Sequence, residues 1–274
     1  MTQLQELKQM NQWEDDALIT RLKSLRLHGC LANIKELKSD SVLSSSISKI
    51  LTFEELERHR RLLASRIAGT KIKEFDPISG FDWSWPKKID RMLLEELFTF
   101  EFLKEKMNVV FLGPAGVGKS TLAKNLVHEA ARQGKSAVFV EAVDMLSELI
   151  AEQNRAGLDR LLRKAAKPEL LAIDEVGYLS YDSRHADLLM RIIHMRQSKS
   201  STIITTNRPF HEWGEMFPNS ANVTALLDRL TENCEVVQIE GDSYRGKRSM
   251  ERNQMKNKAR KSRSVLLNAP GVKE

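Results

Sequence analysis

Gly113-Pro114-Ala115-Gly116-Val117-Gly118-Lys119-Ser120 fits the spacing G-x-x-x-x-G-K-[ST], and the apolar run at 108–112 before it reads as a buried strand. In a loop of this kind phosphate is held by backbone N–H groups at the mouth of a helix. The chain must therefore turn tightly and come close to the ligand, and a Cβ at Gly113, Gly116 or Gly118 would obstruct it. Lys119 is placed to reach β- and γ-phosphates, and the Ser120 hydroxyl to meet Mg²⁺. The nucleotide-binding set runs on to Thr121. Residues 121–132 then repeat apolar Leu122, Leu126 and Val127, as a helix packed on a sheet does.

A second chemical signal comes about 55 residues further on, where Leu170-Leu171-Ala172-Ile173 reads as a strand that ends in Asp174 and Glu175. Ligands of parallel sheets lie beyond the carboxyl ends of the strands, so both acids are expected beside the nucleotide. Asp174 suits the coordination shell of Mg²⁺, and Glu175 suits a base that takes a proton from the attacking water. Another strand over 201–206 finishes on Asn207. Its amide is either a group that orients water or touches the γ-phosphate, or an ordinary strand terminator. With strands also at 136–140 and 235–239 and helices between, the expected fold is α/β: a doubly wound, parallel, five-stranded P-loop sheet.

The chain of 274 residues, 41% hydrophobic, is long enough for one large α/β domain and a smaller module. No apolar run approaches the roughly 18 residues that span a bilayer, and the N-terminal stretch lacks the marks of a secretory signal. A cytoplasmic protein with no membrane partner is the expectation. Cys30 and Cys234 have no neighbours at metal-ligand spacing and are expected to be reduced thiols.

Order along the chain suggests four parts. Residues 1–74 form an N-terminal helical module, 75–88 a linker rich in Pro, Gly, Ser, Asp and Trp, 89–246 the ATPase domain, and 247–274 a basic C-terminal tail. Within the module, 39–48 is expected to interrupt the helices, and Thr52-Phe53-Glu54-Glu55 reads as a capping box that starts a new one. Its arginines, Arg58, Arg61 and Arg66 among them, with Lys71 and Lys73, suit either solvation or phosphate contact. A helix is expected over 145–166. Along it Arg160, Arg163, Lys164 and Lys167 share one face, either a wet surface or a track for a nucleic-acid backbone. The net charge of +6 is local: residues 245–263 hold nine Lys and Arg against one Glu, a net +8, which leaves the remainder near −2. Such a block is a solvated tail or a polyanion-binding one.

Taken together, Gly113 to Ser120, Ile173-Asp-Glu-Val-Gly-Tyr-Leu179, Thr206-Asn-Arg-Pro-Phe-His-Glu-Trp213, Leu227-Asp-Arg-Leu230 and Gly241-Asp-Ser-Tyr-Arg245 resemble the IstB-like ATPases, relatives of the DnaC helicase loader in the AAA+ class. The resemblance covers about residues 50 to 247. It implies an ATP-dependent helper of transposition that assembles with itself on duplex DNA, recruits or stimulates a transposase, and hydrolyses ATP with Mg²⁺. It also implies that Asn207 is the sensor 1 residue, that Arg229 is offered to a neighbouring subunit's γ-phosphate, and that Arg245 is a second sensor. Ser120 stands where relatives often carry Thr, and Lys124-Asn125 replaces a more apolar part of the P-loop helix. A helicase loader with the same core is one alternative. A nucleotide-switched scaffold is another, against which Glu175 argues, since a pure switch needs no base.

Overall fold

Alternation along the apolar strands decides how this chain layers. In β1 (Asn108–Leu112), Val109 and Phe111 are buried on one face of the sheet and Val110 on the other. Leu170 and Ala172 of β3 (Leu170–Val176) lie with the first set, Leu171 and Ile173 with the second. Strands that bury both faces need cover on both sides, which a parallel sheet with crossover helices supplies. The computed structural model describes residues 17–177, 182–217 and 223–267, with side chains to residue 257. It falls into two compact units, residues 1–65 and 66–274.

The second unit carries the sheet. With β2 (Ala137–Glu141), β4 (Ser201–Thr206) and β5 (Cys234–Gln238), the strand order is β2-β3-β4-β1-β5 and every pairing is parallel. One face is covered by α7 (Lys119–Arg132) together with α5 (Arg91–Leu97) and α6 (Glu101–Lys104). The other is covered by α8 (Ala142–Ala151), α10 (Ser183–Arg196) and α12 (Val223–Thr231), with Trp213 of α11 (Trp213–Met216) fully buried among them. The expected α/β sheet is thus present. The helix expected over 145–166 is instead two, α8 and α9 (Arg155–Ala166), because the Asn154 side chain accepts from the Ala156 N–H and starts a new helix.

The stretch 75–88 reads as a linker by composition, but it is stitched to the sheet unit. Asn125, 5% exposed on α7, accepts from the Ile78 N–H at 2.8 Å and donates to the Asp76 carbonyl at 2.9 Å. Lys88 and Glu240 exchange two backbone hydrogen bonds in an antiparallel bridge. The polar departure at Asn125 therefore has a structural reason: it satisfies backbone groups that an apolar residue would leave unpaired. The C-terminal basic block is also not an irregular tail over its described part, since α13 runs Tyr244–Leu267.

The first unit holds α1 over residues 17–24, α2 (His28–Ala32), α3 (Ile34–Ser39) and most of α4 (Ser41–Gly69). The expected break at 39–48 is confined to Asp40, between α3 and α4, and the capping box at Thr52 is absent. Asp40 accepts from the Val42 and Leu43 N–H groups and starts the helix there, which then runs straight through Thr52. Thr52 donates to the Ser48 carbonyl four residues back, and Arg21 takes the Thr52 hydroxyl and the Glu55 carboxylate. Tertiary pairing replaced the local cap. The expected helical module over residues 1–16, Tyr178 and Leu179, and the tail over 268–274 fall outside the described residues.

At the N-terminal edge of the sheet one buried cation joins four acceptors. Arg196, 1% exposed, donates to the Thr202 hydroxyl and to the carbonyls of Ala166, Pro168 and Ser201. Burial pushes its guanidinium down to about 9, so it still carries charge at neutral pH. Arg196→Ala removes that charge and the guanidinium donors to three carbonyls, two of them buried. It is expected to cost about 3 kcal/mol or more, read as a loss of about 10 °C in the thermal midpoint; an unchanged midpoint would show the cluster to be energetically neutral.

Candidate nucleotide site

The P-loop lies between the carboxyl end of β1 and the first turn of α7. An added Cβ at Gly113 would sit 2.2 Å from the Ile239 carbonyl oxygen, so the loop is pressed against the chain leaving β5. Gly116 and Gly118 have φ of +80° and +103°, and a Cβ there would meet Ser243 and the Phe81 ring. All three positions thus demand glycine for reasons of space or conformation. The resulting cradle, open at the N-terminus of a fourteen-residue helix, suits phosphate.

Lys119 Nζ donates to the Gly113 and Pro114 carbonyls, each at 2.7 Å, and so holds the loop from inside. Burial lowers its pKa, while Asp174 and Glu175 pull it back up and Arg245 pushes it further down. Those three side chains therefore share the field around Lys119, as the nucleotide reading requires. Asp174 is 5% exposed and its Oδ1 accepts from the Thr205 hydroxyl; Glu175 is half-buried. Ser120 begins α7 beside Lys119 and is partly open to solvent. Its hydroxyl and the Asp174 carboxylate are hard oxygen donors of the kind Mg²⁺ prefers when phosphates complete the shell. Among the described residues no cluster of three or more His, Cys, Asp or Glu could hold a metal alone.

Asn207 follows β4 directly and is exposed. The Gly113 N–H donates to the Thr206 carbonyl at 3.2 Å, which sets the start of the P-loop against the residue before Asn207. Beyond it, Trp213 Nε1 donates to the Arg208 carbonyl, so the buried indole anchors the loop that carries Asn207. Arg229 is half-buried on α12, where its Nη1 donates to Met190 Sδ at 3.6 Å; it has no ion pair among the described residues. Arg245 is exposed at the start of α13.

Sequence reasoning missed the strap over this loop. The Tyr244 N–H donates to the Gly116 carbonyl at 2.9 Å, and Trp85 Nε1 donates to the Asp242 carbonyl at 2.8 Å. Lys247 pairs with Asp82 at 3.1 Å and lies 4.4 Å from the Trp85 ring centroid. The signal was present in Trp83 and Trp85, since large aromatics in a loop usually bury against something.

The basic residues divide. Arg160, Arg163 and Lys164 on α9 and Lys167 at its C-terminal cap are all exposed and without ion pairs among the described residues. Arg58 pairs with Glu54, and Arg60 and Arg61 together hold the Glu57 carboxyl down to about 2. Arg66 is half-buried in the second unit, with its guanidinium against Gly134.

The model of the IstB-like ATP binding protein family matches residues 20–252. The chain belongs to that family. It is 34% identical over 202 residues to a protein of insertion sequence IS5376 from Geobacillus stearothermophilus that is named for ATP binding, covering 74% of this chain and 80% of the relative. It is 32% identical over 234 residues to the corresponding protein of IS21 from Pseudomonas aeruginosa, covering 85% and 88%. Among solved structures, AMPPCP-bound DnaA from Aquifex aeolicus superposes with a TM-score of 0.50 at 19% identity, over 61% of this chain and 50% of that one. The fold is thus that of the AAA+ P-loop proteins, and the chain is an insertion-sequence-associated member of an ATP-binding family. No helix among the described residues is long and apolar enough to cross a membrane.

Lys119→Ala is expected to weaken ATP binding by about 10- to 100-fold, the worth of a charge-assisted contact to phosphate. Titration with a fluorescent ATP analogue measures it, and wild-type affinity would remove Lys119 from the site.

Proposed function

We propose that this IstB family member hydrolyses ATP and acts as a DNA-bound helper of a transposase. The observation that carries the hydrolytic part is Glu175 beside Asp174 at the end of β3, both acting on Lys119. On this reading the P-loop N–H groups and Lys119 bind the β- and γ-phosphates, and Glu175 takes the proton of the attacking water. Asn207 orients that water or the γ-phosphate. Ser120 and Asp174 hold Mg²⁺, which when bound neutralises charge on the phosphate oxygens. Thr121 and Arg245 flank the nucleotide from α7 and α13.

Arg229 carries the assembly part. A guanidinium with no carboxylate partner among the described residues is available to a second copy, where it would face the neighbour's γ-phosphate and make the triphosphate state the one that assembles. The names of the relatives tie the family to insertion sequences, and this supports a transposase as the partner. For DNA, the open α9 face is a better candidate than Arg58 and Arg61, whose charges are paired. Arg66 and the α13 block add to the positive surface. Phosphate contacts of this type tolerate any duplex sequence and weaken with salt.

Glu175→Gln is expected to keep ATP binding and lose about 100-fold or more in turnover, because the amide fills the same space without accepting a proton. Arg229→Ala is expected to lower both turnover and the ATP-dependent particle mass in light scattering, with single-chain nucleotide affinity retained. Near-normal hydrolysis by the Glu175 variant would defeat this reading of the site.

Replacing Arg160, Arg163, Lys164 and Lys167 by Ala is expected to weaken duplex binding and to flatten its dependence on salt by about one unit of slope for each lost contact. Titration of labelled duplex at several salt concentrations, with ATP and with a chain ending at Lys247 for comparison, checks it. An unchanged slope in the α9 variant, with binding lost only on truncation, would assign the DNA contacts to α13.

A further inference from the structure

One oxygen atom holds both acids of the site. The Thr205 hydroxyl donates to Asp174 Oδ1 at 2.5 Å and accepts from the Glu175 N–H at 2.9 Å. Thr205 is 1% exposed and Asp174 5%, so the bond between them is shielded from bulk water. We propose that Thr205 is the positioning residue of the nucleotide site, fixing the metal ligand and the base together through a bulge in β3. The proposal rests on the hydrolytic reading given above.

The need for such a residue follows from strand geometry. Successive side chains of a regular strand point to opposite faces, so adjacent Asp and Glu in an unbroken β3 would diverge rather than converge on one ligand. Here Ile173 pairs with Ile204 and Val176 with Thr206, three steps on β3 against two on β4. The extra residue is a bulge, a device that re-aims a side chain. Within it Glu175 takes φ of +59°, the left-handed region, at a cost of about 1–2 kcal/mol for a residue with a Cβ. Both carboxylates then act on Lys119. The bulge also takes the Glu175 N–H out of the regular ladder, and the Thr205 hydroxyl is what it meets.

The same hydroxyl sets how Asp174 faces the nucleotide. With Oδ1 occupied, Oδ2 has no hydrogen-bond partner among the described residues and is the oxygen left for Mg²⁺. Partners that orient a ligating carboxylate in this way are worth about 10- to 100-fold in metal affinity or activity. Valine at 205 would keep the shape, remove the donor to Asp174 and orphan the Glu175 N–H.

Three full-length variants test this. Thr205→Val and Thr205→Ala both lack the hydroxyl and differ in volume, while Thr205→Ser keeps the hydroxyl and loses only a methyl group. Binding of Mn²⁺ in the presence of a non-hydrolysable ATP analogue, read by electron paramagnetic resonance, is compared with kcat and KM for ATP. The hydroxyl-less variants are expected to lose about 10- to 100-fold in Mn²⁺ affinity and at least about tenfold in kcat, with metal-free nucleotide affinity within about twofold of wild type. Thr205→Ser is expected to stay within about threefold of wild type in both. Wild-type Mn²⁺ affinity and kcat in Thr205→Ala or Thr205→Val would overturn the proposal. So would a serine variant as impaired as the valine one, which would make packing of the methyl group the cause. If the wild-type protein took up Mn²⁺ with nucleotide yet hydrolysed nothing, the hydrolytic reading would fail, and the Mn²⁺ comparison would still judge Thr205.

Discussion

The constraint on which the sheet unit turns is that backbone N–H groups, not side chains, must face the phosphates. A backbone cradle has no room for Cβ atoms and little stiffness of its own, so its shape has to be imposed from outside. In this chain the imposition comes from three directions. The Ile239 carbonyl presses on Gly113, Ser243 and Tyr244 on Gly116, and Phe81 on Gly118. Lys119 closes the loop from within by hydrogen bonds to two of its carbonyls. The residues outside the loop come from far apart in sequence, which is why the segments at 76–88 and 239–247 are built onto the sheet.

That arrangement links the loop to the ends of the fold. Chain entering β1 and chain leaving β5 meet in the Lys88–Glu240 bridge, beside the cradle. Lys247 and Trp85 join the first turn of α13 to the same place. A helix rich in Lys and Arg thus begins at the nucleotide loop. Charge alone would not place it there. The aromatic and ionic contacts around Asp82, Trp85 and Tyr244 do.

The two acids illustrate a second economy of the fold. A parallel strand delivers residues to its carboxyl end but alternates their direction, and the β3 bulge breaks that alternation where both are needed. The Glu175 N–H in this left-handed stretch donates to one buried threonine, and Gly177 two residues on has φ of +94°. At the opposite edge of the sheet Arg196 gathers the chain between α9 and β3 and the start of β4, far from the loop in sequence terms and with no chemistry of its own. One end of the sheet is thus organised for stability and the other for ligand.

Much of this was readable from residues alone. The P-loop, the strand ending in Asp174 and Glu175, and the five parallel strands follow from spacing and apolar runs, because glycines that admit phosphate and strands buried on both faces leave patterns that no partner is needed to decode. Elements whose form depends on distant partners were not readable. Thr52 looks like a helix start until Arg21 and Asp40 are seen, and 75–88 looks like a linker until Asn125 and Glu240 are. The bulge at Glu175 needs β4 beside it, and the separation of paired from unpaired arginines needs the positions of Glu54 and Glu57 on α4. Local sequence determined where backbone must be bare and where it must be apolar; tertiary structure decided which polar groups meet, since a hydrogen bond or ion pair requires two partners and the chain specifies their meeting only by folding.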